Sequence, residues 1–113
     1  MTRIRFYRKH GLYIGFAAEG HAQYGEHGYD IVCAAISALT QTTASALTRL
    51  LGVEATVTQD EARAIYRVHL PAVSRTAARR ADDLLSMLSI GLCQLQADYP
   101  RHLRVIGAKP HTL

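Results

Sequence analysis

Apolar and charged positions alternate from residue 3 to residue 8, with Ile4 and Phe6 on one side of an extended chain and Arg3, Arg5 and Tyr7 on the other. A period of two predicts a strand with one buried face. Residues 12 to 18 alternate again through Leu12, Ile14, Phe16 and Ala18, and Lys9, His10 and Gly11 between the two runs read as the turn of a hairpin.

The period then changes to that of a helix. Val32, Ile36, Leu39, Thr43, Leu47 and Leu50 recur at steps of three and four, after Asp30 as a good N-cap and before Gly52 as a natural terminator beyond Leu51. Two short strands follow, near 54 to 59 and 63 to 70, with Gln59 to Glu61 as their turn and Pro71 as a stop. From about Ser74 to Asp98, Ala77, Ala81, Leu84, Leu85, Leu88, Leu92 and Leu95 form a second helical stripe, with Arg79 and Asp83 spaced to pair and Pro100 ending it. Gly91 interrupts that stripe and would allow close packing on the sheet or on a second copy. Residues 102 to 107 make a last strand. The order strand, strand, helix, strand, strand, helix, strand predicts an α+β fold, a small sheet packed against two long helices.

Length and composition narrow the class. The chain has 113 residues, 19% charged and 49% apolar, which suits one ordered domain over residues 1–113 with a core that needs no staples. Its two cysteines, Cys33 and Cys93, lie on different predicted helices, so a disulfide framework is not expected and a reducing cytoplasm fits. The N-terminal run has positive charge but no continuous apolar core like that of a signal peptide, and no stretch reads as a membrane span. A net charge of +4 admits an anionic partner, yet the arginines scatter over strands and helices, so direct nucleic-acid binding is not expected.

The candidate chemistry sits in one run, GHAQYGEHGYDIVCAAISALTQT. Between Gly20 and about Tyr29 the glycines Gly20, Gly25 and Gly28 make a flexible loop, and with Asp30 as N-cap, Cys33 occupies the third helical position. A thiol there lies near unpaired N–H groups and the positive end of the helix dipole. That end supplies roughly 0.3 to 1 kcal/mol, up to about 2 when partly buried, against about 1.4 kcal/mol per pKa unit. One unit is therefore the most it gives, and burial among Ile31, Val32 and Ala34 opposes it. A partner is needed, and His21 across the loop can favour the thiolate and later protonate a leaving amine.

The other residues of the run have more than one reading. Asp30 serves as a plain N-cap or also orients His21, although its charge would raise the thiol pKa. His27 reads as loop surface, substrate contact or second base. His21, His27, Asp30 and Cys33 could in principle wrap a zinc ion, but no CxxC or HExxH accompanies them, so neither metal nor cofactor is expected. The glycines do not make a phosphate cradle, since no GK[ST] follows. Cys93 reads as structural.

GHA, then DIVCAA, then a serine resembles the ribosomal-processing cysteine protease family called Prp, and the resemblance extends to the chain's length and element order. It implies a small cytoplasmic bacterial cysteine endopeptidase, homodimeric, that removes a short N-terminal extension from the large-subunit ribosomal protein L-twenty-seven. By the same resemblance His21 and Cys33 are the catalytic pair, with Asp30, Gly20 and Ser37 shaping the site and Tyr24, Gly25, His27 and Gly28 in a substrate loop that moves to admit peptide. Tyr29 departs from the pattern, which has a polar residue there, often lysine. The alternative is a non-enzymatic ribosome- or RNA-associated binding module.

Overall fold

The computed structural model describes residues 1–26 and 30–113. Five strands, β1 (Thr2–Lys9), β2 (Leu12–Glu19), β3 (Thr56–Asp60), β4 (Ile65–His69) and β5 (Leu103–Ile106), and two helices, α1 (Ile31–Leu51) and α2 (Arg75–Asp98), follow in the predicted order. The sheet runs β3-β4-β2-β1-β5, antiparallel except where β5 joins β1 in parallel. α2 lies on β2 and β5, and α1 lies against α2. Both helices share one core with Ile4, Phe6, Phe16, Val68 and Leu103, so both cover the same face of the sheet.

The first hairpin closes through His10 and Gly11, both at positive φ (52° and 78°), the two-residue turn whose twist matches that of the strands. Farther along, the strict alternation expected in β2 fails. The register slips where Tyr7 faces Gly15 and Arg8 faces Tyr13, so β2 carries one extra residue, Ile14, as a bulge. Tyr13 and Phe16 therefore both point inward, each 1% exposed, while Leu12 and Ile14 are only half-buried.

Other boundaries move for identifiable reasons. β3 runs on to Asp60, and the turn lies at 61–64, where Asp60 accepts the Arg63 N–H (3.1 Å) and Ala64 adopts φ 51°. Leu50 is 65% exposed while Leu51 beside it packs against the core, and Thr40 and Ala44 are buried within the helix. Both buried threonines of α1 return their hydroxyls to helix carbonyls, Thr40 to Ile36 and Thr43 to Leu39 (each 2.8 Å). Gly91 faces α1, where an added Cβ would meet the Leu39 side chain at 3.5 Å, and so serves the helix–helix contact. By length and hydropathy α1 is long and apolar enough for a bilayer span, contrary to expectation, but Val32, Ile36, Ala44 and Leu47 belong to the core.

Past β5 a short 3₁₀ turn (Pro110–Thr112), absent from the sequence reading, seals one end of the core. Lys109, not Arg79, makes the ion pair to α2, reaching Asp82 rather than Asp83 at 2.6 Å while its ammonium lies 4.5 Å from the Tyr13 ring centre. The Tyr13 hydroxyl accepts the Lys109 N–H (2.6 Å) and shares hydrogen bonds with Ser89 (3.2 Å) and Thr112 (2.9 Å). Ser89 and Thr112 also bond each other (2.9 Å), so removing the Tyr13 hydroxyl orphans the Lys109 backbone N–H and takes one bond from each of the other two. Tyr13→Phe should therefore lower unfolding free energy by about 1 to 3 kcal/mol in urea titrations, with the sheet intact by circular dichroism.

Candidate active site

α1 begins where it does because of Asp30. Its backbone is extended (φ −78°, ψ 106°), and Oδ1 accepts the N–H groups of Val32 and Cys33, both at 3.0 Å. Oδ2 turns back to the preceding loop and accepts the N–H groups of Tyr24 (2.8 Å) and Gly25 (3.3 Å). One carboxylate, 8% exposed, thus joins the helix start to the stretch that carries His21. Burial raises its pKa, but the N–H donors from Cys33, Tyr24 and Gly25 outweigh burial and hold it below the usual carboxylate range.

The same four bonds decide what surrounds the sulfur. The helix-start donors nearest Cys33 are already occupied by Asp30, so the thiol draws its stabilisation from the loop: Ala22 N–H donates to Sγ at 3.3 Å, and Gln23 N–H also acts on it. Burial pushes the thiol pKa up, Ala22 pulls it down, and the Asp30 charge together with a thiol–carboxylate hydrogen bond pushes it up again. The net shift is upward, which favours the thiol over the thiolate. Helix-start activation does not win here, in line with the magnitude expected of it.

His21 is exposed and lines the same groove as Cys33, an open cavity of about 720 Å³. One wall is α1, through Cys33, Ser37, Thr40 and Gln41; the other is the β3–β4 hairpin, through Gln59, Asp60, Glu61, Ile65 and Tyr66. Gly20 and Gln23 close one end, with Gly25 and Asp30 also in the lining. Gly20 holds φ 88°, its N–H reaches the Ala64 carbonyl (2.9 Å), and an added Cβ would lie 2.5 Å from the Met1 carbonyl oxygen. Glycine is required there for a fixed close approach.

Tyr24 is placed differently from the sequence reading. Its ring packs edge-on against Tyr99 and His102, both at 5.2 Å between centres, and is absent from the groove lining. His27 and Gly28, with Tyr29, lie outside the described residues. Among the described residues no three His, Cys, Asp or Glu side chains converge as metal ligands, and both Asp30 oxygens are taken by backbone N–H groups. Burial raises the Cys93 thiol pKa, with a weaker opposing hydrogen bond from Ser89, and Cys93 lies outside the groove lining.

The sequence reading did not single out the hairpin wall, and it missed His102. His102 Nδ1 lies 2.9 Å from the Ala22 carbonyl oxygen. Eighty positions separate the two, and no local pattern signals the contact.

Residues 1–104 match the family model described as cysteine protease Prp. The chain belongs to that family. It is a cysteine protease. The ribosomal processing cysteine protease Prp of Bacillus subtilis (strain 168) is 29% identical over 93 residues, which is 81% of this chain and 83% of that one. Among solved structures, the S. aureus ribosomal processing protease Prp with a covalently linked product peptide superposes with a TM-score of 0.83 at 22% identity, covering 94% of this chain and 98% of that one. SMU.848 from Streptococcus mutans gives 0.79 at 27% identity, covering 94% of each. Membership in Prp sets aside the non-enzymatic binding module as the alternative.

Two outcomes test the role of Asp30 in this Prp site. In the folded chain its carboxyl titrates below the unfolded value of about 3.9, so its stabilisation is complete above that value and is lost as pH falls through the lower folded one. Asp30→Ala should cost about 2 to 3 kcal/mol at neutral pH, and the gap to the unmodified protein should shrink only in acid, as followed by denaturant titration. Asp30→Asn keeps a capping oxygen but removes the charge. It should shift the pH profile of Cys33 alkylation by iodoacetamide toward lower pH.

Proposed function

We propose that this protease removes a short N-terminal extension from the large-subunit ribosomal protein L-twenty-seven, with Cys33 as nucleophile and His21 as general acid and base. The observation that carries the reading is the Cys33 sulfur in a groove shared with His21, with the Ala22 N–H directed at it. The B. subtilis relative is a ribosomal processing protease, and the S. aureus structures hold a covalently linked product peptide in one case and a substrate peptide in another. Resemblance to the family also supports a homodimer working in the cytoplasm; light scattering reads the assembly.

Because burial and Asp30 keep the thiol protonated, the reaction begins with transfer of the Cys33 proton to His21. The thiolate then attacks the scissile carbonyl carbon, forming a C–S bond and an oxyanion. Val32, Cys33, Tyr24 and Gly25 have their N–H groups engaged by Asp30, so the donors offered near the sulfur are those of Ala22 and Gln23. A well-placed donor of this kind is worth about 10²- to 10³-fold in rate. The imidazolium of His21 protonates the departing amine as the C–N bond breaks, which leaves a thioester. His21 then takes a proton from water, the hydroxide adds to the thioester, and collapse expels the Cys33 thiolate.

Groove shape supports an extended peptide as substrate. Ser37 stands one helical turn beyond Cys33 on the same wall, and the facing hairpin adds the acidic side chains of Asp60 and Glu61. Incubation of the extended ribosomal protein with this enzyme should yield the truncated form by mass spectrometry. Cys33→Ala should lose that cleavage by at least about 10³-fold while keeping its far-ultraviolet circular dichroism. Continued cleavage by Cys33→Ala would overturn the assignment.

A further inference from the structure

Gln23 is a non-glycine residue at φ 58°, a conformation that persists only where the surroundings impose it. It follows Ala22, whose own N–H donates to the Cys33 sulfur at 3.3 Å and whose carbonyl oxygen lies 2.9 Å from His102 Nδ1. A carbonyl only accepts, so Nδ1 carries the proton in this contact.

His102 is itself held in place. Its N–H donates to the Tyr99 carbonyl (3.0 Å), its own carbonyl accepts the Thr2 N–H (3.0 Å), and its ring meets Tyr24 edge-on. The anchor is therefore tied through both its backbone and its ring, and it immediately precedes β5.

We infer that His102 is a positioning residue of the protease, holding Ala22 by its carbonyl so that the Ala22 N–H stays directed at the Cys33 sulfur. The inference rests on Cys33 being the nucleophile and adds a residue that touches neither sulfur nor substrate. His102 supplies a hydrogen bond to a carbonyl and takes no part in proton transfer. A donor of the right geometry at the Nδ1 position should serve as well, and an aromatic ring without one should not.

Three substitutions separate the donor from the ring. His102→Asn places an amide N–H near the Nδ1 position, His102→Phe keeps the contact with Tyr24 but cannot donate, and His102→Ala loses both. With a peptide spanning the ribosomal extension, Phe and Ala variants should lose about 10-fold or more in kcat with KM within about twofold, and Asn should recover to within about threefold of the unmodified enzyme. Cys33 alkylation by iodoacetamide, which needs no substrate, should shift to higher pH in the Phe and Ala variants and return in Asn. Nitrogen NMR of the unmodified protein should show His102 as the Nδ1–H tautomer when neutral, an observation independent of whether any variant folds. A neutral Nε2–H tautomer, or a Phe variant with unmodified kcat and alkylation profile, would overturn the inference. Failure of the protease reading itself is distinguishable, because it would appear as cleavage surviving Cys33→Ala while the tautomer and alkylation results stood.

Discussion

The site depends on one buried carboxylate. Asp30 accepts four backbone N–H groups, two from the first turn of α1 and two from the loop before it. Burial of an ionised carboxyl is unfavourable alone, and here donors on both sides compensate. Helix and loop therefore cannot move apart without taking two donors from a buried charge and orphaning the N–H groups of Tyr24 and Gly25. That fixes Cys33, in the first turn, against Ala22 and Gln23, in the loop.

This arrangement sets stability against reactivity. The donors that would have favoured a thiolate at the helix start are used by Asp30, and the carboxylate's charge further disfavours one. The thiol is favoured over the thiolate, with the loop N–H groups as the opposing influence. In the proposed mechanism such a thiol needs a base, the part given there to His21.

Much of the frame could be read in the chain because local rules and tertiary packing agree there. Asp30 and Ser74 do cap their helices through side-chain bonds, and Gly52 takes the left-handed conformation that ends α1. Where they disagree, the sequence misleads. A single bulge at Ile14 moves the inward face of β2 from Leu12 and Ile14 to Tyr13, and no periodicity reveals an inserted residue. Leu50 fits the stripe of α1, but it is Leu51 that packs against the core there. Asp82 and Lys109, like Ala22 and His102, meet only after the sheet has formed. For the site, the run from Gly20 to Ser37 shows one wall and one end of the groove; the hairpin wall, polar and mostly exposed, carries no local signal.

The glycines of the run change meaning once the backbone is traced. Read alone, Gly20 and Gly25 mark a flexible loop. In the fold, the stretch from Gly20 to Gly25 is tied at six backbone groups: Gly20 to Ala64 and to the Thr2 hydroxyl, Ala22 to Cys33 and His102, Tyr24 and Gly25 to Asp30. Gly20 is there for close approach to Met1, and its positive φ is a fixed feature. A stretch pinned from three directions would offer the proposed reaction preorganised donors that need little rearrangement as charge develops. Adaptation to a peptide then falls to the opposite wall, where the β3–β4 hairpin lies at the sheet edge and presents exposed polar side chains to the groove. Chemistry is held by the rigid side of the groove, and recognition is left to the side that has room to vary.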